Sequence, residues 1–288
     1  MDGRDCASSK LRARTRDSAL TVAALAATIS DWLAHEWILP EVRVPDLREE
    51  VASDAAAAAR ILRDEWDVGH GPIPRLVALL ETHGVRVFSL TDDVTDVDAF
   101  SFWHHGSPFV VLNQQKSGER GRFDGAHELG HLTLHQQIDF SRKDLEREAD
   151  VFAAEFLVPG ESLLSQLPSV ITLDTVMELK EHWRVSAMAM VKRLKDVSAL
   201  SEWVYRSMCV RLSSQGYRAG ERGGIDREVS SIWPEILVEL EREGGGIAQI
   251  ADALNLRVSE VSPLIFGFAK GRGLRGLRVI RGGADSGT

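Results

Sequence analysis

The feature that most constrains this chain is a string of five residues, His127-Glu128-Leu129-Gly130-His131. Two histidines four positions apart face the same way on a helix, where side chains at i and i+4 lie about 6 Å from one another. The surrounding stretch RFDGAHELGHLTLH (122–135) places Phe123, Ala126, Leu129, Leu132 and Leu134 among polar residues, as an interior helix does. On that helix His127 and His131 can offer imidazole nitrogens to one metal ion, and Glu128 stands close enough to reach water on the metal without being a ligand. Those are the needs of metal-assisted hydrolysis, in which the metal lowers the pKa of water and a carboxylate takes its proton. Histidines on a solvated face, or satisfied within a core, can carry the same letters, so the context must decide. Gly130 gives the helix a smooth side for close packing.

A catalytic zinc takes three protein ligands and keeps one position open. A third histidine six residues beyond His131 would complete one known pattern, but Gln137 stands there. His135 lies a further turn along, and three successive turns do not converge on one tetrahedral ion. The next helix, SRKDLEREADVFAAEFLVP (141–159), supplies Glu146, Glu148, Asp150 and Glu155, with Ser141 a candidate N-cap and Pro159 beyond the stop. Glu146 and Asp150 share a face, so one can bind the metal while the other accepts a hydrogen bond from a ligand histidine. Ala149 and Ala153 let this helix lie close to the first, and Glu148 reads as solvated.

RFDGAHELGHLTLH followed by EREADVFAAEFLVP resembles the ImmA/IrrE family of metallo-endopeptidases, which show R-F-x-x-A-H-E-L-G-H and then E-x-x-A-[ND]-x-F-A-A-x-x-L-x-P. A weaker likeness runs from about Leu39 to Ser214. The resemblance implies His127, His131 and Glu146 as ligands of Zn2+, Glu128 as general base and later proton donor in a gluzincin-like arrangement, and Asp150 at the Asn/Asp position that follows. It also implies a regulatory endopeptidase whose partner and substrate is an XRE-type helix-turn-helix repressor, in a stress or mobile-element circuit. Many relatives carry an XRE-type DNA-binding domain ahead of the peptidase. Residues 1–38 are too short for it, so a repressor partner is expected to be a separate chain. The rival readings are a non-proteolytic module that grips a repressor, and a DNA-binding regulator that retains the peptidase fold.

Around this centre the chain reads as α+β: mostly helical, a small β-sheet packed on the H-E-x-x-H helix, and a helical C-terminal region. Three ranges are expected: an N-terminal helical region (1–66), a zinc metallopeptidase domain (67–200) and a C-terminal helical region (201–288). Helices are expected at 18–39 and 46–66, and PRLVALLETHG should form a short helix with Gly84 as its C′ residue. VRVFSL and SPFVVLN read as strands, with DAFSFWHHG a third between them. FVVLN (109–113) suits either an exposed edge to which an extended substrate pairs or an ordinary core strand. Donors for an oxyanion are offered by His104, His105, His182, Tyr205 and Tyr217, and the sequence does not choose among them.

Charge and composition narrow the partners. The net charge of −9 disfavours a dominant nucleic-acid binder. Residues 244–288 are the exception, with six basic residues against three acidic. There IAQIADALNLRVSEVSPLI resembles a helix-turn-helix, with Ala251 at the small packing position, Asn255 at the turn and Val261 in the second helix. That second helix, expected from Ser259, would present mainly Glu260 and Ser262, a poor set for reading bases, so a protein-binding role is favoured over DNA contact. The Gly/Arg tail KGRGLRGLRVIRGG suits phosphate contact or a solubilising end. Lys10, Arg12, Arg14 and Arg16 before LTVAALAATI mimic a signal peptide, but no small-x-small cleavage site follows and the stretch reads as a helix. Two cysteines, Cys6 and Cys209, and no apolar run long enough for a bilayer fit a cytoplasmic protein without a membrane partner.

Overall fold

The fold is α+β, a small three-stranded sheet amid many helices. The computed structural model describes residues 3–51, 54–90, 98–135, 143–218, 220–265 and 280–281, with no side-chain account of 3–15 or 280–281. In chain order the elements are α1 (Gly3–Glu36), β1 (Trp37–Ile38), α2 (Ala55–Glu65), α3 (Leu76–Thr82), β2 (Arg86–Ser89), β3 (Ala99–His104) and β4 (Ser107–Leu112). Next come α4 (Gly118–Leu134), α5 (Lys143–Leu157), α6 (Gly160–Ser165), α7 (Leu173–Trp183), α8 (Ala187–Asp196) and α9 (Glu202–Ser214). The last are α10 (Ile232–Arg242), α11 (Gly246–Ala253), α12 (Val258–Val261), a 3-10 turn (Ser262–Leu264) and β5 (Ile280–Arg281). Among the described residues no helix is long and apolar enough to cross a membrane. The proposed Ser141 cap, Gln137 and nearly all of the Gly/Arg tail lie outside the described residues.

Contacts group the chain into two units, one of residues 1–44, 77–115 and 229–288, the other of 45–76 and 116–228. Each therefore draws on more than one of the ranges read from the sequence.

In the first unit β4 lies between β2, to which it is parallel, and β3, to which it is antiparallel. This decides between the two readings of FVVLN: it is the central strand, paired on both sides, and not an exposed edge. The cause is its composition, since Phe109, Val110 and Val111 are fully buried and an apolar run of that kind needs cover on both faces. His105 and Gly106, both at positive φ, turn β3 into β4 as a two-residue hairpin does. Gly84 closes α3: its N–H donates to Glu81 O and that of Val85 to Leu80 O, the paired bonds of a Schellman end. Its φ of +81° and a backbone oxygen of Glu41 2.5 Å from where a Cβ would stand both require glycine. The buried Glu81 carboxylate accepts from the Ser231 N–H at 2.7 Å, the Ser231 hydroxyl at 2.6 Å and the Ser230 hydroxyl, tying α3 to the start of α10.

Three expectations shift here. The first helix begins at Gly3 rather than near 18, because 4–17 hold no Pro or internal Gly to stop it. The C-terminal pair keeps Asn255 in a left-handed turn and buries Ala251 and Val261. Its second helix, however, starts at Val258 and lasts four residues before the 3-10 turn. Glu260 does not project as a reading residue but folds back to accept the Arg257 N–H at 2.8 Å.

In the second unit α5 packs on both α2 and α4. The helix expected over 46–66 is confined to α2, whose start is set by Asp54 accepting the Ala57 N–H at 2.9 Å. The α2 face of Ala55, Ala58, Ala59 and Leu62 is buried. Arg63 is held inside by the carbonyls of Gly69, Gly71 and Phe156, and burial draws its pKa down to about 10. Glu155, on the inner side of α5, pairs with Arg193 and Arg60.

Candidate metal centre

The HELGH string lies on α4, whose start is fixed in several ways. Ser117 caps it by accepting the Arg120 N–H. Gly118 passes so close to 225–226 that a Cβ would meet the Ile225 oxygen at 2.5 Å, and Glu119 accepts the Ile225 N–H at 2.8 Å. Arg122, fully buried, donates to the carbonyls of Ile73 and Arg184 and pairs with Glu228. The Arg-Phe that opens the motif is thus half structural anchor. Further along, Gly130 meets Phe152 of α5: a Cβ there would stand 3.1 Å from the Phe152 ring. Ala149 and Ala153 are fully buried beside it.

This close approach brings α5 carboxylates to α4 imidazoles. His127 Nε2 and His131 Nε2 are 3.1 Å apart, and the Glu146 oxygens lie 3.4 Å from the first and 3.5 Å from the second. These three residues form one group of metal-ligating atoms within 4.8 Å of one another. Ligand atoms about 2.1 Å from a tetrahedral zinc stand about 3.4 Å from each other, the edge of a tetrahedron. The donor set, two nitrogens and one oxygen, is that of a zinc site with a position left for water. The residues present fit the ion.

Behind the ligand atoms the imidazoles are held by their other nitrogens. Asp150 Oδ1 accepts from His127 Nδ1 at 3.0 Å. His131 Nδ1 lies 3.0 Å from His135 Nδ1, and His135 Nε2 bonds Glu148 Oε2 at 2.9 Å. The two histidines therefore differ. Burial draws the His127 pKa down, but the bond to Asp150 and the charges of Glu128, Asp150 and Glu146 outweigh it and leave it above the ordinary value. Burial, helped by His127 and His135, takes His131 down to about 3, so it stays neutral. The His127 bond in turn holds Asp150 below the usual carboxylate range. Glu128 is buried, and its charge acts on His127.

The structure thus brings together His127, His131 and Glu146, with Asp150 behind His127 and Glu128 alongside. It corrects the reading of Glu148 as solvated: about one-third exposed, it bonds His135. His135 stands behind His131, a place that reading it as a ligand does not give it. The signal was present as a second i, i+4 pair, His131 and His135. The oxyanion candidates have other contacts: His182 stands edge-on to Trp183, Lys195 lies over the Tyr205 ring at 5.0 Å, and His104 bonds Asp31. Asp31, His104 and His105 form a second group of ligating atoms in the first unit, where Asp31 is half exposed.

A family model described as the IrrE N-terminal-like domain, of the M78 peptidases, matches residues 80–195, and the ImmA/IrrE resemblance is shown there. The match contains α4, α5 and every residue of the cluster. Among curated proteins, none matches the chain.

Proposed function

We propose that this chain is a zinc-dependent endopeptidase, with His127, His131 and Glu146 as ligands, Glu128 as general base and Asp150 as the group that orients His127. The observation that carries it is the triangle of ligand atoms with edges of 3.1, 3.4 and 3.5 Å. A carboxylate beside it and one behind a histidine add to the case. Held by these residues, a zinc ion would supply Lewis acidity, acidifying a water and polarising a peptide carbonyl. Glu128 would accept the proton of the attacking water as the water oxygen joins the carbonyl carbon. Glu128 then gives the proton to the amide nitrogen as the C–N bond breaks. Asp150 holds the proton of His127 on Nδ1 and so keeps the Nε2 lone pair turned toward Glu146.

The substrate proposed is a helix-turn-helix repressor of the XRE type, cleaved to relieve repression, in the cytoplasm. That step rests on the ImmA/IrrE resemblance alone. Glu128→Gln tests the chemistry. It keeps the shape of the side chain, so zinc and fold should persist while repressor cleavage falls by a factor of at least ~10². A mutant that still frees the repressor from its operator at the wild-type rate would turn the reading to a protein that grips rather than cuts.

A further inference from the structure

Two histidines at one centre should be held alike, yet they are not. His127 meets a carboxylate directly, whereas His131 meets a second ring that meets a carboxylate. We infer that Glu148 and His135 form a positioning relay that fixes the tautomer of His131 and presents its Nε2 lone pair to the ligand cluster. The inference rests on the zinc-centre reading above and adds two residues to it.

The argument is one of donors and acceptors. A carboxylate only accepts, so the 2.9 Å bond from His135 Nε2 to Glu148 places the His135 proton on Nε2. With His135 taken as neutral, its ring has one donor and one acceptor, and its Nδ1 is then the acceptor. The 3.0 Å approach of His131 Nδ1 to that atom then requires the His131 proton on Nδ1. His131 Nε2 then faces the cluster without the proton, 3.1 Å from His127 Nε2 and 3.5 Å from Glu146. Asp150 imposes the same order on His127 in one step. On the zinc-centre reading both Nε2 atoms then present lone pairs to the point where the cation would lie.

Burial keeps the relay in register. The His135 side chain is 1 % exposed and that of His131 4 %, so neither ring can exchange its bond for one to water. Glu148 reaches them because α5 lays its buried stripe of Leu145, Ala149 and Phe152 toward the interior. Glu146 and Asp150 flank that stripe on one side and Glu148 on the other. One helix thus serves one histidine directly and the other through His135.

The test reads the metal and the proton rather than turnover. Zinc affinity by chelator competition should fall ~10–100-fold in Glu148→Ala, the usual effect of removing an outer partner of a ligand histidine. Glu148→Gln keeps an oxygen that accepts from His135 and should stay within a few fold of wild type. In zinc-loaded wild type, nitrogen-15 NMR should find His135 protonated on Nε2 and His131 on Nδ1, a reading that needs no variant to fold. Wild-type affinity in Glu148→Ala, equal loss in both variants, or the opposite His135 tautomer would overturn the relay while the zinc centre stood. Wild-type protein that bound no zinc would overturn the zinc centre, and the relay with it.

Discussion

Glu146 and Asp150 stand one turn apart on α5, yet their removal should do unequal damage. Glu146 lies beside both histidine Nε2 atoms, whereas Asp150 bonds the far nitrogen of His127. Asp150→Asn retains an oxygen that accepts the Nδ1 proton and should be mild. Asp150→Ala should weaken zinc binding ~10–100-fold, and Glu146→Ala more than that. Chelator competition across the three orders them, and an Asn variant as weak as the Ala variant would mean that Asp150 acts by charge alone. The pairing of Glu146 with Asp150 on one face was legible from their spacing. Glu148 was not, because spacing gives the direction of a Cβ and not what a long side chain finds at its end. Read as solvated, Glu148 would be silent to alanine; bonded to His135, it should not be.

At the scale of elements, the contact of α4 with α5 hangs on Gly130. The Phe152 ring opposite is fully buried and stacked on Phe156 with centroids 5.6 Å apart, so it cannot give way. Gly130→Val gains a little helix propensity but forces three carbons into occupied space, and should cost about 2 kcal/mol. Urea denaturation checks this, and Phe152→Leu in the same chain should recover part of the loss, since neighbouring substitutions couple. Both helices were visible in the sequence because their apolar residues recur at helical spacing over four turns or so. The small sheet was visible too, in β-branched runs bounded by turn formers. Strand order was not: nothing in FVVLN says how many neighbours pair with it until the fold covers both its faces. The second helix of the C-terminal pair starts one residue before the expected Ser259 and is short, with Pro263 in the 3-10 turn that follows it.

For the whole molecule, stability should carry the mark of Glu81. Burial raises its pKa despite the bonds from Ser230 and Ser231, while Arg86 beside it is itself drawn down by burial to about 10. A carboxyl with a raised folded pKa holds a proton that the unfolded chain releases. Its contribution is therefore full below about pH 4.3, the unfolded value, and is lost as pH rises through the folded value. Stability measured by denaturant from pH 4 upward should fall more steeply in wild type than in Glu81→Gln, which cannot ionise. Identical slopes would mean that folding does not raise the pKa of Glu81.

The central claim is that α4 and α5 together hold one zinc ion. Elemental analysis of chelator-stripped, zinc-reloaded protein tests it most directly. The account predicts about one zinc per chain in wild type and none retained by His127→Ala. Full stoichiometry in His127→Ala would contradict the ligand assignment, and a wild-type chain that retained no zinc would contradict the centre itself.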